Sequence, residues 1–475
     1  MPMNQSATVS FPAEYLALIT PYIPEHSSLQ DFTRISSTPL RKSIRVNTLK
    51  ISVEEFKQLA EQLNWQLTPI PWCASGFWLE RPTEQEKLAL GSTAAHFAGL
   101  FYIQEASSMM PPEALSCGAN LSGKLLLDMA SAPGSKSTQL AAIMNNSGVL
   151  IANELSSSRI KVLNANIQRC GLTNTAMTHF NADVFGEWLP EIFDFVQLDA
   201  PCSGEGAIRK DPLAFKNWSL SSTNQIASLQ KNLIKSAFLA LKPGGEMIYS
   251  TCTLNPLENQ QVCLWLQQQF PDAVEFINLK NLFNGAEKAV TEHGFLHVWP
   301  QIFDSEGFFV AKIRKTAAVP FEFKGKEQTN FPFTPATKKQ FNLVEQYLDN
   351  QFGWQLPASH KLYVRDNEYW LFPQAFIPLI GKMRFQRIGV KLAELFKFGF
   401  KITHEAVMSF SDDFTKNLIE ITDEQVSELY AGKDLKSSLN RNSGEMVAMY
   451  HSAPVALLKG LKGKLKNNLP RELIR

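Results

Sequence analysis

The segment KLLLDMASAPGSKSTQLAAIM, residues 124–144, decides the fold. An apolar run leads through a tight Pro-Gly turn directly into a stretch of helical character. A strand that enters a helix in this way is the first half of a βαβ unit, in which the strands run parallel. The segment therefore predicts a doubly wound α/β domain, and such domains bind ligands beyond the carboxyl ends of their strands.

The neighbouring sequence continues the alternation of strands and helices. Further apolar runs are GVLIANE (148–154), FDFVQLDAP (193–201), GGEMIYSTC (244–252) and GFFVAKI (307–313). Nearly uninterrupted apolar runs are typical of strands that are covered on both faces. The segments SKSTQLAAIM and SSSRIKVLNANIQRC between them have helical character. We therefore expect a mostly parallel sheet with helices on both sides.

The composition of the whole chain describes a globular protein of several domains. It has 475 residues, of which 44% are apolar, and its 46 Lys and Arg nearly cancel 45 Asp and Glu. This length predicts about three domains. The net charge of +1 favours neither a nucleic acid nor a membrane surface, so a charged partner must be sought in local clusters. Nothing in the sequence requires more than a monomer.

The termini and the cysteines indicate a reducing compartment. The N-terminus lacks a basic segment followed by an apolar core, and no stretch approaches the roughly 18 apolar residues of a membrane helix. The six cysteines are too sparse for a disulfide scaffold, and without a CxxC pair they indicate no zinc site. We therefore expect a cytoplasmic protein with free thiols.

The turn after the first apolar run has the features of a nucleoside-binding site. The helix that follows Gly134 would present free N–H groups, and Glu154, twenty residues further on, is placed to accept hydrogen bonds from ribose hydroxyls. A P-loop is disfavoured because Ser135 separates Gly134 from Lys136, and a nicotinamide fingerprint lacks its other two glycines. An adenosine-containing ligand fits, although the turn alone is also compatible with an ordinary strand-to-helix connection.

Two cysteines lie in turn sequences at the ends of predicted strands. LDAPCSGEG (198–206) contains Asp199 and Cys202, and YSTCTL (249–254) contains Cys252. Both segments face the same edge of the sheet as the nucleoside turn. Cysteine is usually a small buried hydrophobe, and we assign that packing role to the remaining cysteines. These are Cys73, Cys117, Cys170 and Cys263.

A thiolate beside an adenosine-containing ligand matches the needs of pyrimidine methylation. The C5 carbon of cytosine is a poor nucleophile until a thiolate adds to C6, which is a case of covalent catalysis. The methylated adduct must then lose its C5 proton and expel the thiolate, a step that favours a second group nearby. Asp199 would hydrogen-bond the N3 and amine edge of the ring and so select cytosine over uracil.

An ordered set of motifs resembles the S-adenosylmethionine-dependent RNA cytosine-C5 methyltransferases related to the Nol/Nop/Sun group. The resemblance spans about residues 40–315, and the C-terminal extension resembles that of bacterial members acting on small-subunit ribosomal RNA. The matching segments are RVNTLK (45–50), YIQEASSMMPPEAL (102–115), DMASAPGSK (128–136), LDAPCSGEG, LKPGGEMIYSTCTLNPLEN (241–259) and GFFVAKIRK (307–315).

The resemblance implies a Rossmann-like class I methyltransferase fold and a role for each site residue. Cys252 would be the nucleophile, Cys202 would assist product release, and Asp199 would serve the base and the transferred methyl. Glu154 would bind the ribose of S-adenosylmethionine. Its methionine and ribose part would be lined by Ala130, Ser131, Ala132, Pro133, Gly134, Ser135 and Lys136. The family usually has an acid at the adenine end, where this chain has Asn181, with Asp183 two residues later.

The predicted domains and RNA contacts complete the sequence interpretation. We expect an N-terminal α+β RNA-binding region (1–118), the methyltransferase domain (119–316), a linker with a small α+β domain (317–380) and a PUA-like RNA-binding domain (381–475). Arg45 and its neighbours would contact RNA, as would Arg209 and Lys210, which equally fit a solvated face. Basic clusters further suggest Lys382, Arg384, Arg387, Lys391, Lys459, Lys462, Lys464, Lys466, Arg471 and Arg475. A lysine-rich solvated helix is the alternative for the last cluster.

The predicted activity is methylation of C5 of one cytosine in the decoding region of 16S ribosomal RNA, through a Cys252–C6 adduct. Such an enzyme would flip the cytosine out of its stack. Two alternatives remain from the sequence: the same chemistry on tRNA, and a non-catalytic ribosome-assembly factor that keeps the fold. Intact Cys202, Cys252 and Asp199 disfavour the second alternative.

Overall fold

The computed structural model describes residues 10–440 and 442–474 and contains four β-sheets. The N-terminal region is an antiparallel four-stranded sheet in the order β2-β3-β1-β4 with helices around it. Its strands are β1 (Ser43–Val46), β2 (Gln66–Ile70), β3 (Cys73–Glu80) and β4 (Phe101–Ile103), and its helices are α1 (Ala13–Ile19), α2 (Leu29–Ser36), α3 (Val53–Gln62), α4 (Ala94–Phe97) and α5 (Met110–Ser116).

The central domain is the doubly wound unit that the opening segment predicts. Its strands are β5 (Leu125–Asp128), β6 (Val149–Asn153), β7 (Thr175–Thr178), β8 (Phe193–Asp199), β9 (Leu241–Thr251), β10 (Val274–Ile277), β11 (Leu296–Val298) and β12 (Phe308–Lys315). Its helices are α6 (Ser135–Ile143), α7 (Ser157–Cys170), α8 (Phe185–Trp188), α9 (Leu220–Ala240), α10 (Gln260–Gln269) and α11 (Pro300–Phe303). Strands β7-β6-β5-β8-β9 are parallel, and β12 and β10 extend the sheet antiparallel.

Both faces of this sheet are buried, which explains the uninterrupted apolar runs. Because successive side chains of a strand point to opposite faces, Leu126 and Leu150 pack into one cluster while Leu127 and Ile151 pack into another. All four side chains are inaccessible to solvent. Burial of each stabilises the fold by about 1.5–3 kcal/mol. The five apolar runs of the sequence analysis correspond to β5, β6, β8, β9 and β12.

The C-terminal part divides into two small sheets. The third sheet comprises β13 (Thr334–Pro335), β14 (His360–Arg365), β15 (Glu368–Pro373), β17 (Val390–Phe396) and β18 (Gly399–Ile402), with α12 (Lys338–Phe352) and α13 (His404–Phe410). Strand β16 (Arg387–Ile388) instead pairs with β7 and extends the central sheet. The fourth sheet contains β19 (Leu418–Glu420), β20 (Leu435–Lys436), β21 (Gly444–Tyr450), β22 (Ala453–Leu461) and β23 (Lys464–Asn467), with α14 (Asp423–Tyr430).

The division between the last two units differs from the expected one. The expected boundary between residues 380 and 381 falls inside the third sheet, because β15 before it pairs with β17 after it. The structure therefore divides the chain after α13, where the third sheet is complete. Sequence composition missed this because the β15–β17 pairing spans a turn-rich connection.

The small units pack onto the central and N-terminal regions. Trp370 and Phe372 of the third sheet belong to one core cluster of the central domain, and Phe97 stacks on Tyr430 of the fourth unit at 3.7 Å between ring centroids. In the described part of the chain, every helix is too short or too polar to cross a lipid bilayer.

Candidate active site

The carboxyl ends of the parallel strands bring most predicted site residues to one edge of the sheet. In the strand register, Asp128 of β5 lies opposite Ala152 of β6 and Gln197 of β8. Two residues beyond each of these stand Ala130, Glu154 and Asp199. Asp199 in turn lies opposite Ser250 of β9, two residues before Cys252. The pairing of the strands thus aligns the nucleoside turn, the ribose acid and the cysteine segments.

The turn between β5 and α6 is supported from its outer side. Its carbonyl groups accept hydrogen bonds from side chains of the next helix: Asn166 donates to Pro133 O at 2.9 Å, and Arg159 donates to Ala132 O. Gly134 adopts φ +108°, and a Cβ there would lie 3.1 Å from Leu163. The first N–H groups of α6 have no partner within the helix and can bind an anionic group.

Acidic and amide side chains lie along the same edge beyond β5, β6 and β7. Glu154 is almost fully buried and accepts a hydrogen bond from Ser156 N at 2.8 Å. Asn181 and Asp183 are exposed after β7, and the Asn181 amide donates to Asp183 at 2.8 Å. Both can face a ligand, so the choice between them for the adenine end remains open.

The two predicted catalytic cysteines meet in space. We call residues 200–206 the Cys202 loop and residues 252–259 the Cys252 loop. The sulfur atoms of Cys202 and Cys252 are 3.2 Å apart, both as free thiols. The hydrogen bond to Cys252 and burial raise the pKa of the Cys202 thiol well above its usual value. The Cys202 thiol therefore resists losing its proton, and either sulfur can be the donor in the contact between the two.

Asp199 forms an ion pair that the sequence did not predict. Its Oδ2 accepts from Lys136 Nζ at 2.7 Å, and its Oδ1 accepts from Ser250 Oγ at 2.8 Å. Burial lowers the pKa of Lys136, but the Asp199 carboxylate outweighs burial and the net pKa is raised. Lys136 also interacts electrostatically with Cys252, so a fixed positive charge lies near the sulfur. The sequence indicates both Lys136 and Asp199 as site residues, but only the structure shows that they form an ion pair.

Beneath the cysteine loops lies a buried polar network that sequence reasoning missed. Glu205 follows Cys202 by three residues and Glu258 follows Cys252 by six, and both carboxyl groups are buried. Ser203 contacts both carboxyl groups, and Asn255 donates to both, at 2.7 Å and 2.8 Å. The sequence does contain a signal for this network: each of the two cysteines is followed within six residues by a glutamate, in a segment rich in turn residues.

The remaining cysteines follow the packing prediction with one correction. Cys73, Cys170 and Cys263 are buried, as expected, but Cys117 is exposed. Cys117 follows the last residue of α5, where the chain turns toward the surface. Within residues 10–440 and 442–474, no group of three or more His, Cys, Asp or Glu is arranged to hold a metal ion.

Several predicted RNA contacts are wrong because the side chains are used inside the protein. Arg45 is 1% exposed and donates to Gln104 and Thr138. The Arg209 side chain is 2% exposed and pairs with Asp304 at 2.9 Å. Arg387 pairs with Glu405, and Lys391 with Glu368 and Glu394. Arg45 and Arg209 are thus buried cations that require these partners, whereas the side chains of Arg387 and Lys391 are 20% and 19% exposed and are already paired with carboxylates.

Other predicted basic residues remain at the surface. The last basic cluster lies on the β22–β23 hairpin, which corrects the alternative of a helix. Lys464 pairs with Asp434 at 2.8 Å and Lys210 pairs with Glu105. Exposed members are Lys382, Arg384, Lys459, Lys462, Lys466 and Arg471, whereas Arg475 lies outside the described residues.

Comparison with known proteins decides the family. A protein named ribosomal RNA small subunit methyltransferase F from Shewanella frigidimarina is 53% identical over 467 residues, covering 95% of this chain and 96% of its own. Its namesake from Photobacterium profundum is 54% identical over 464 residues, covering 98% and 97%. The family model described as 16S rRNA methyltransferase RsmB/F matches residues 119–314. The chain belongs to the RsmB/F family.

Further models of the RsmB/F family match the flanking regions. The N-terminal domain of 16S rRNA methyltransferase RsmF matches residues 11–106. The pre-PUA domain of ribosomal RNA small subunit methyltransferase F matches residues 333–410, and the methyltransferase RsmF PUA domain matches residues 416–475. The pre-PUA match ends with α13, where the third sheet is complete. The predicted α/β fold with a PUA-like C-terminal domain is confirmed.

Solved structures share the architecture of this RsmB/F chain. A methyltransferase homolog protein from Pyrococcus horikoshii is 32% identical with a TM-score of 0.55, covering 65% of this chain and 96% of its own. RsmB/F enzymes depend on S-adenosylmethionine, so that is the cofactor. The donor set at the sheet edge fits it: helix N–H groups for its carboxylate, and buried Glu154 for its ribose.

Proposed function

We propose that the protein methylates C5 of one cytosine in 16S ribosomal RNA, near the decoding site, through a covalent adduct with Cys252. The observation that carries this proposal is the 3.2 Å approach of the Cys202 and Cys252 sulfurs at the edge where Asp199 meets Lys136. The names of the relatives, which specify small-subunit ribosomal RNA, support the RNA target. A cytoplasmic location and a monomeric state remain predictions.

The cofactor residues follow from the chemistry of each group. The N-terminus of α6 and the turn of residues 130–136 would hold the methionine end, and Glu154 would accept hydrogen bonds from the ribose. Asn181 and Asp183 are the candidates for the adenine end. S-adenosylmethionine supplies an electrophilic methyl group when it is bound. The remaining catalytic tasks fall to the chain's own side chains.

Cys252 is the nucleophile in this proposal. The raised pKa of Cys202 disfavours its thiolate, and Lys136 places positive charge near the Cys252 sulfur, which is the one assigned to attack. Bond formation between this sulfur and C6 of cytosine makes C5 nucleophilic. Once C5 carries the transferred methyl group, a base would remove the C5 proton, and the electron pair of that C–H bond would re-form the C5–C6 double bond as the C6–S bond breaks. The S–H of Cys202 assists that last step by donating to the departing Cys252 sulfur.

Asp199 recognises the cytosine in this proposal. Its carboxylate is held by Lys136 and Ser250, which leaves lone pairs directed at the open part of the site, where the side chain is 29% exposed. A carboxylate accepts a hydrogen bond from the exocyclic amine of cytosine but repels the O4 carbonyl of uracil. Asp199 would therefore select cytosine.

Exposed lysines of the β22–β23 hairpin would hold the RNA backbone. Lys462→Ala with Lys466→Ala should weaken RNA binding and reduce the slope of log affinity against log salt by roughly one per lost phosphate contact. Lys464→Ala is the matched control, because Lys464 is already paired with Asp434. An equal loss of RNA affinity in Lys464→Ala would contradict the proposal that Lys462 and Lys466 contact the RNA backbone.

Methyl transfer from labelled S-adenosylmethionine to deproteinised 16S RNA, to assembled small subunits and to tRNA tests the target. We expect label in 5-methylcytidine of 16S RNA, and bisulfite sequencing of RNA from a deletion strain should show one unprotected cytosine. Label in tRNA alone would replace the proposed target, and no transfer to any of the three would favour a non-catalytic assembly factor.

A further inference from the structure

Glu205 and Glu258 form a pair of carboxyl groups with almost no access to solvent. They are 1% and 0% exposed, respectively. Among the described residues, neither forms an ion pair with a basic side chain, and each raises the electrostatic cost of ionising the other. Two buried negative charges without a cation are strongly unfavourable. The pair is therefore expected to keep a proton.

The contacts of Ser203 show that a proton is needed. Its hydroxyl oxygen is in hydrogen-bond contact with Glu205 Oε2 and also with Glu258 Oε1. A hydroxyl group has a single hydrogen to donate. It can serve only one of these carboxyl oxygens, so the other contact is a hydrogen bond only if that carboxyl group is protonated and donates to Ser203.

The neighbouring donors indicate which carboxyl group carries the proton. Glu258 accepts from three N–H donors: Ser203 N at 3.0 Å, Gln230 Nε2 at 2.9 Å and Asn255 Nδ2 at 2.8 Å. Glu205 Oε2 contacts the Ser203 hydroxyl, while Glu205 Oε1 accepts from Thr253 and Asn255. Burial, and then Glu258, raise the pKa of Glu205. The proton therefore belongs on Glu205 Oε2.

We propose that Glu205 and Glu258 share one proton and that this protonated pair positions Cys202 and Cys252 for reaction. Ser203 adjoins Cys202, and Thr253 adjoins Cys252, so the chain of contacts Thr253–Glu205–Ser203–Glu258 joins the two cysteine loops. Both glutamates are positioning residues that do not touch the RNA. This role rests on the proposed function, in which both sulfurs act on one cytosine.

In the part of the chain that the structure describes, no basic side chain pairs with either glutamate, so no cation balances a second negative charge. The titratable groups facing it are Tyr15 from α1, Tyr249 from β9 and Cys202. The Tyr249 hydroxyl donates to Glu258 O at 2.6 Å, and burial raises the pKa of both tyrosines. Loss of the shared proton would therefore leave two carboxylates in repulsion and push the cysteine loops apart.

The first test compares two isosteric variants. Glu205→Gln replaces a protonated carboxyl with a neutral amide that can still donate to Ser203, so kcat should stay close to that of the wild type. Glu258→Gln puts an amide where an anion accepts three N–H groups, and kcat should fall by about 100-fold, with little change in KM for RNA. Equal losses in the two variants, or a larger loss in Glu205→Gln, would overturn the shared proton.

The second test does not depend on methyl transfer. Folded Glu205 retains its proton at a pH where the unfolded chain has released it, so stability falls as pH rises above about 4.3. The melting temperature of Glu205→Gln should therefore rise relative to wild type between about pH 5 and pH 8. If the difference in melting temperature between Glu205→Gln and wild type did not change with pH, the proposal would be overturned. This test does not require Glu258→Gln to fold.

A failure of the proposed function has a different signature. If the wild type transferred no methyl group to cytosine, the assigned reaction would be wrong and with it the positioning role, whereas the thermal comparison would still decide whether the proton is shared. An activity optimum that moves to higher pH in Glu205→Gln supports the positioning role, and an unchanged pH profile contradicts it.

Discussion

The Cys202 loop and the Cys252 loop occupy equivalent places in the fold but differ in what holds them. Each follows the carboxyl end of a parallel strand, β8 and β9 respectively. The Cys252 loop is anchored from below: His297 Nε2 lies 3.0 Å from Leu254 O, and Asn259 donates to Thr253 O at 2.9 Å. The Cys202 loop turns at Gly204, with φ +76°, and is held by Ser203 on the glutamate pair and by the Gly206 N–H, which donates to Cys252 O at 3.0 Å.

The two loops also differ in the surroundings of their thiols. The contact with Cys252 and burial raise the pKa of Cys202, while Lys136 places a positive charge near Cys252. Different surroundings can give two identical side chains different tasks. In the proposed function the Cys252 loop carries the attacking sulfur, and the Cys202 loop carries the donor that helps it leave.

The largest expected effect is on the attacking sulfur. Cys252→Ala should lower methyl transfer at least about 1,000-fold, because it removes the sulfur that forms the bond to C6 in the proposed reaction. Cys263→Ala is the matched control, since Cys263 is buried in the core and should leave transfer unchanged. Transfer is measured with labelled S-adenosylmethionine. If Cys252→Ala retained activity, Cys252 would not be the nucleophile.

The second prediction concerns Cys202 and tests whether the two sulfurs have different roles. Cys202→Ala should still form the adduct but release it slowly, so turnover should fall roughly 100-fold or more. We expect a protein–RNA species that survives denaturing gel electrophoresis and is absent from the double variant with Cys252→Ala. An adduct that accumulates in Cys252→Ala and not in Cys202→Ala would exchange the two roles.

A variant of Asp199 tests whether the segment at the end of β8 recognises cytosine in addition to supplying the Cys202 sulfur. Asp199→Asn leaves the buried Lys136 ammonium unpaired and removes the carboxylate that accepts from cytosine, so kcat/KM should fall about 100-fold. Asp194→Asn is the control, because Asp194 pairs with Lys242 near the opposite end of the same strand. Similar losses in both variants would indicate a general loss of stability.

The last prediction concerns the anchor of the Cys252 loop and is measured as stability instead of turnover. Burial lowers the pKa of His297 to about 4. The unfolded chain therefore binds a proton that the folded chain excludes, and the unfolding free energy should fall by about 3 kcal/mol as pH falls from 6.5 to 4. His297→Gln should flatten this dependence in chemical denaturation. Exposed His26→Gln should not, and an equal flattening there would contradict the assignment.

The sequence by itself determined the central domain and the reactive residues. Apolar runs such as LLLD and VLIAN have no solvated face, so they specify buried parallel strands wherever the rest of the chain lies. The turn at Gly134 and the cysteines at strand ends then share one edge, because parallel strands all end on the same side. This is a consequence of local pattern and connectivity alone.

Only the tertiary structure decided which charges face solvent and which buried polar groups meet. Arg45 and Arg209 belong to basic runs in sequence, yet each is enclosed by partners that are remote along the chain. The Lys136–Asp199 pair and the contact of Glu205 with Glu258 through Ser203 likewise join residues more than 50 positions apart. Desolvation and proton sharing depend on three-dimensional neighbours, which composition and spacing do not contain.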